Sequence, residues 1–211
     1  MAVAAGVLEG GFADAVLEAQ AVFRAVLDAM AQPGTVQPVA GLQKAPALLS
    51  PVAAAVVATL CDGDTPIWLD PLLSGMGAAG ADNRGAVAAW IAFHTGAPVV
   101  AAHADARFAI CADPALLPSL EGFAHGSQEY PDRSATLILQ VESFADGEPL
   151  TLEGPGIAGR ASVAPGPLPR HFRDQWRHNG ASFPRGVDLI LAGPDAVMCL
   201  PRTTRILETQ R

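Results

Sequence analysis

Arginines and threonines crowd the last part of the chain, in Phe183-Pro184-Arg185-Gly186 and again in Leu200-Pro201-Arg202-Thr203-Thr204-Arg205. A guanidinium presents a planar fork of donors and a hydroxyl adds another. Arg185, Arg202 and Arg205 with the two threonines therefore form a set suited to gripping a phosphate or a carboxylate. The plainer alternative is solvated arginines after a strand, or a salt bridge at a subunit contact, which is what surface arginines most often make. His125, in a glycine-containing loop beside Gln128 and Glu129, is the histidine best placed to touch a ligand or partner. His171 and His178 stand seven residues apart, about two helical turns, without the tight spacing or supporting thiolate that structural zinc prefers. His94 and His103 flank a predicted helix–strand junction. Lys44 is the sole lysine. Covalent pyridoxal-phosphate chemistry needs a lysine in a prepared pocket, and Lys44 lies in a short polar stretch between two helices, so that chemistry is not expected.

The common catalytic signatures are missing. There is no Gly-Lys-Ser/Thr phosphate loop, no His-Glu-x-x-His, no Cys-x-x-Cys and no Gly-x-Ser-x-Gly. No acid–base pair, nucleophile, cofactor site or metal site is read from the residues.

The elements that must position these groups are bounded by composition. The chain has 211 residues, half of them hydrophobic and 16% charged, with net charge −8. That length suits one domain, 1–211, burying roughly 70% of its unfolded surface. An acidic chain with few basic residues is a poor nucleic-acid binder. The mean hydropathy of +0.29 is high, yet no apolar run approaches the roughly 20 residues of a membrane span. Surface hidden against partner subunits is the better account. Cys61, Cys111 and Cys199 are scattered and lie in apolar runs, as buried free thiols of a reducing compartment would. Met1 to Phe12 has no basic n-region and carries Glu9, so no secretion signal is read and a cytoplasmic protein is expected.

Apolar spacing of three and four from Phe12 to Met30 predicts an amphipathic helix with Phe12, Val16, Ala19, Phe23, Val26, Leu27 and Met30 on its buried face, stopped by Pro33-Gly34. Ser50-Pro51 predicts a capped helix to about Leu60. A strand over Thr65–Leu69 and a loop over Asp70–Ala81 precede a third helix, capped by Asp82 or Asn83 and ending near Thr95-Gly96. Val99–Ala102, Arg107–Cys111, Thr136–Val141 and Leu150–Leu152 read as strands, Pro114–Leu120 as a short helix and Ala161–Pro169 as a loop. Leu168–Asn179 reads as a helix with Phe172 and Trp176 on one face. Val187–Ala192 and Val197–Leu200 form a strand pair about Gly193-Pro194-Asp195. Helices alternating with strands predict a three-layer α/β/α fold with a mixed sheet.

Six segments in order carry a family resemblance: Phe23-Arg24 with Ala29-Met30 and Pro33-Gly34; Leu60, Asp62, Asp64, Thr65 and Trp68; Gly126 through Thr136; Leu152 through Ile157; Phe183 through Asp188; and Leu200 through Arg205. Together they resemble the PhnH family of bacterial phosphonate metabolism, over nearly the whole chain except residues 74–96 and 159–181. The resemblance implies a fold similar to the large domain of pyridoxal-phosphate transferases without the cofactor site. It also implies an accessory subunit of the carbon–phosphorus lyase core complex, whose chemistry maps onto no motif of this chain. Partners implied are PhnG-, PhnI- and PhnJ-like subunits and a second copy of the chain, with no nucleic acid and no membrane. The implied chemistry of the assembly converts alkylphosphonate and ATP to ribose 1-alkylphosphonate 5-triphosphate and adenine. The alternative from a different class is a stand-alone transferase or ligand-binding protein for phosphorylated nucleotides or phosphonates. A pocket joining the three arginines with His125 and Glu129 would favour it, and a broad apolar face would favour the subunit.

Overall fold

The computed structural model describes residues 8–75 and 85–208. Among the described residues, helices α1 (Ala15–Ala31), α2 (Pro51–Leu60), α3 (Ala86–Thr95) and α4 (Phe172–Ala181) accompany nine strands. The strands are β1 (Gln37–Pro38), β2 (Ile67–Leu69), β3 (Phe108–Cys111), β4 (Thr136–Gln140), β5 (Leu150–Glu153), β6 (Ala161–Val163), β7 (Asp188–Ala192), β8 (Ala196–Leu200) and β9 (Arg205–Leu207).

Six strands form a mixed sheet in the order β1-β8-β7-β4-β3-β2. β2, β3, β4 and β7 run parallel, and β8 and β1 join antiparallel. Parallel strands covered on both faces read as continuous apolar runs, as in Leu137-Ile138-Leu139 and Leu189-Ile190-Leu191. The pleat sends alternate residues to opposite faces. Ile67, Ile110, Ile138, Ile190 and Val197 pack under α1, α2 and α3. Trp68, Leu137, Leu139, Leu189, Leu191, Met198 and Leu200 pack against the other layer. That layer holds α4 and short 3-10 turns together with an antiparallel sheet in the order β6-β5-β9, which the sequence pattern did not mark out. The proline-rich segment 161–169 begins with β6, where a loop was expected, and the C-terminal arginine segment enters β9.

Local chemistry explains the helix ends. Asp14 accepts from the amides of Val16 and Leu17 at 3.1 and 3.0 Å and caps α1. Ser50 accepts from Ala53 N at 3.1 Å and Pro51 opens α2, as expected. The expected cap of α3 at Asp82 or Asn83 lies outside the described residues. Gly85 at φ 76° precedes the helix and Gly96 at φ 73° ends it. α4 starts four residues later than its apolar spacing predicts, because Pro169 and a left-handed His171 (φ 56°) intervene. It then runs past Asn179-Gly180 to Ala181. Val99–Ala102 contributes only a bridge from Val99 to Ile67. The segment expected to be one short helix, 114–120, makes 3-10 turns at Pro114–Leu116 and Leu120–Gly122.

α1 corrects the predicted face in part: Val26 is buried as expected, with Phe12 and Met30 packed against the core, whereas Val16, Phe23 and Leu27 turn outward. Its buried residues are Val22, Val26 and Ala29. Val16, Leu17, Phe23 and Leu27 are 52–65% exposed. The helix carries two apolar stripes, and spacing alone does not tell which one meets the sheet.

Candidate functional site

Arg202 organises the region that the sequence marks. It follows β8, and its guanidinium reaches across the amino ends of β4 and β7. Nε donates to Asp188 Oδ1 at 3.1 Å. Nη1 donates to the carbonyls of Pro131 at 2.9 Å and Pro184 at 3.3 Å. Nη2 donates to Ser134 Oγ and Asp188 Oδ2. Five N–H groups meet five acceptors, so the fork is fully occupied within the chain. The side chains of Arg202 and Asp188 are 12% and 22% exposed. Ligands of open α/β sheets sit at the carboxyl ends of the strands, and this junction lies at the opposite end.

Arg205 is in β9, directly across from Glu153 of β5. It pairs with that carboxylate while 70% of its side chain stays in solvent. Arg185 is exposed, and its side chain has no hydrogen-bond or ion-pair partner among the described residues. The ring of His125 bonds the Leu120 carbonyl through Nε2 at 2.9 Å. Its own carbonyl accepts from Gly186 N at 3.0 Å. Glu129 accepts from Ser127 Oγ at 3.2 Å on an exposed turn. His171 and His178 are both exposed, and His171 lies outside the helix. Lys44 pairs with Glu9 at the surface.

A groove of about 670 Å3 lies between α4 and β9. Arg202 and Arg205 are on its walls, with Arg177, Trp176 and Phe183, whereas Arg185, His125 and Glu129 are not. The arginines, His125 and Glu129 are thus not gathered into one pocket. Among the described residues no three His, Cys, Asp or Glu side chains are grouped to hold a metal ion.

Three important polar residues were not singled out from the sequence. Asp70 is fully buried beyond β2, and its carboxylate accepts from the amides of Leu73 (2.8 Å), Ala112 (2.8 Å) and Asp113 (3.1 Å). Asn179 is buried in α4 and exchanges two hydrogen bonds with the Val187 backbone, at 2.9 and 2.8 Å. Asp188 anchors Arg202. The hairpin about Gly193-Pro194-Asp195 held the signal for Asp188: pairing Leu189 with Leu200 sets an acid and a base at its open ends. Asp70 and Asn179 carry no such signal, because a lone polar residue beside a strand or within a helix is more often solvated.

The six segments that carry the resemblance meet at contacts of this kind. Residues 126–136, 183–188 and 200–205 converge on Arg202. At Gly156 an added Cβ would lie 2.0 Å from the Ala31 carbonyl oxygen, and at Gly34 it would lie 2.9 Å from Leu152 Cδ1. Those glycines bring the end of α1 against the small sheet. In the second segment Asp62 accepts from Asp64 N at 3.0 Å, and its carbonyl accepts from Thr65 Oγ1 at 2.8 Å, which shapes the turn into β2.

Residues 10–207 match the family described as "Bacterial phosphonate metabolism protein (PhnH)". Over 200 residues the chain is 46% identical to the alpha-D-ribose 1-methylphosphonate 5-triphosphate synthase subunit PhnH of Rhizobium meliloti (strain 1021), covering 95% of this chain and 96% of that one. A shorter stretch of 81 residues is 40% identical to the putative C-P lyase subunit protein HtxG of Stutzerimonas stutzeri, covering 38% of this chain and 42% of the other. A match that spans the sheet, all four helices and the Arg202 junction leaves one assignment: this chain belongs to the PhnH family.

Proposed function

We propose that the chain is an accessory, non-catalytic subunit of an alpha-D-ribose 1-methylphosphonate 5-triphosphate synthase assembly in phosphonate breakdown. The observation that carries this reading is the outward stripe of α1, where Val16, Leu17, Phe23 and Leu27 lie 52–65% exposed on adjoining turns. Large apolar side chains grouped on one helix face mark a contact surface rather than ordinary surface scatter. The name of the Rhizobium meliloti relative, a synthase subunit, supports the same reading. So does the Arg202 fork, whose donors are spent on the chain itself.

In this reading the chain forms one cytoplasmic domain, pairs with a second copy and joins PhnG-, PhnI- and PhnJ-like subunits. The bond-making and bond-breaking take place on those partners. The parallel β2-β3-β4-β7 run under helices supports a likeness to the large domain of pyridoxal-phosphate transferases, at the level of fold alone. No helix among the described residues is long and apolar enough to cross a membrane.

Co-expression of the tagged chain with PhnG-, PhnI- and PhnJ-like subunits tests the proposal. A stable complex on sizing is the expected result. A chain that elutes alone in their presence overturns it and returns Arg185 and Arg205 to consideration as anion contacts of a stand-alone transferase or binding protein.

A further inference from the structure

The groove between α4 and β9 has a wall made by one continuous stretch of chain, Arg202 to Glu208. β9 is an edge of the small sheet, paired with β5 on one side. An edge strand offers a row of backbone donors and acceptors that another extended chain can meet. The facing wall holds Trp176, Ala181 and Phe183, and Phe183 is 62% exposed. Thr204 also lines the groove, and its Oγ1 is the one buried side-chain polar atom without a partner among the described residues.

The charge around the groove runs against that of the molecule. Arg177, Arg202 and Arg205 line it, with Glu208 as the single acid among the described residues, in a chain of 21 acidic and 13 basic side chains. Arg202 is fully engaged. Arg177 pairs with Asp174 and Glu208, and Arg205 with Glu153, while both arginines are 57% exposed or more. Exposed ion pairs of this kind are weak, so an incoming carboxylate can exchange for Glu208.

We propose that this groove docks an extended segment of another subunit. The segment adds as a strand to the free edge of β9, lays an apolar side chain against Phe183 and Ala181, and offers a carboxylate to Arg177 or Arg205. A strand edge recognises polypeptide backbone, which favours a chain over a small anion. The inference rests on the subunit reading above and names a second surface, separate from α1.

The photo-reactive amino acid p-benzoylphenylalanine, introduced at the Leu207 position and separately at the Phe23 position of the full chain, tests it in the co-expressed assembly. The expected result from position 207 is a crosslink to an acid-bearing extended segment of a different subunit, with β9 amides exchanging at least about tenfold more slowly in the assembly. Crosslinks from position 23 alone, or from 207 only to a second copy of this chain, overturn the groove inference and leave the subunit reading standing. Crosslinks from neither position in an assembly that has formed overturn both surfaces, whereas a chain that elutes alone defeats the subunit reading itself. Ala181→Glu provides a second measurement, since Ala181 is exposed and a solvent-facing substitution there is expected to leave the fold intact. It is expected to weaken association by about tenfold, and Ala181→Lys by less, because the lysine attracts the incoming carboxylate. Equal, undiminished affinity for both variants overturns the proposal.

Discussion

Asp188 and Arg202 stand at the two open ends of the β7–β8 hairpin, and one carboxylate serves both the side chain and the backbone of its partner. Asp188 Oδ1 accepts from the Arg202 amide at 2.7 Å and from Nε at 3.1 Å. The rest of the fork gathers Pro131, Ser134 and Pro184. A side chain that resembles an anion clamp in the sequence is, in the fold, the clasp holding three loops at the amino ends of β4 and β7.

Arg202→Met should therefore lower stability by about 3 kcal/mol, because it leaves the Asp188 charge and several backbone acceptors without donors. Arg202→Lys should recover only part of this, since one ammonium cannot reproduce a five-donor fork. Urea unfolding at neutral pH gives the number. A loss near zero for Arg202→Met would mean that the junction is ornamental and the arginine is free for other work.

Asn179 and Gly186 form a second junction in the same region. Asn179→Asp removes the Nδ2 donor to the Val187 carbonyl and should cost about 2 kcal/mol. Gly186→Ala should cost a similar amount, about 1–3 kcal/mol. Its φ is 134°, and the added Cβ would stand 2.8 Å from Asn179 Oδ1. Thermal unfolding of the two single variants and the double variant gives their coupling. Since both act on one contact, the double loss should fall short of the sum.

These junctions mark where sequence reasoning succeeds and where it stops. Ser50-Pro51 fixed the start of α2, and the Gly193-Pro194-Asp195 turn placed β7 and β8, because caps and turns are local chemistry. The small sheet was not legible as a layer. β5, β6 and β9 have three or four residues each, and β5 meets β6 and β9 across intervening stretches of 7 and 51 residues that carry no periodic signal. The arginines were legible as chemistry but not as partners: whether a guanidinium faces ligand, carboxylate or carbonyl depends on loops brought in from residues 131, 134 and 184. For α1 the pattern gave a helix and two apolar stripes, and only packing selected Val22, Val26 and Ala29 for the core.

That selection yields a prediction. Phe23→Asp and Leu27→Lys should leave the isolated chain folded, within about 0.5 kcal/mol, as solvent-facing substitutions generally do. Both should reduce recovery of the chain in the assembly. Val26→Asp, by contrast, places a carboxylate in the core and should unfold the protein. Circular dichroism separates folding from association, and sizing of the co-expressed complex reads the latter. Full assembly with Phe23→Asp would remove the α1 stripe as a contact surface.

The three thiols predict an alkaline limit to stability. Burial pushes the Cys61 thiol up to about 12, with Asp62 adding to the shift. Burial, aided by Asp70, raises Cys111, and burial, aided by Asp188, raises Cys199. In the unfolded chain such thiols titrate near 8.5. Below that pH both states hold their protons and the thiols add no pH dependence. Above it the unfolded state releases protons that the folded state keeps, so stability falls as pH rises, by about 1.4 kcal/mol per unit for each thiol engaged. The chain has one tyrosine and one lysine, so few other side chains titrate in this range. The Tm should be level from pH 7 to 8 and drop steadily from about pH 9, and replacing any one cysteine by alanine should make the drop shallower. Thiol reagents at pH 8 should label the native chain slowly and the urea-unfolded chain at all three positions. Rapid native labelling at Cys111 or Cys199 would place those thiols at the surface and remove the source of the alkaline slope.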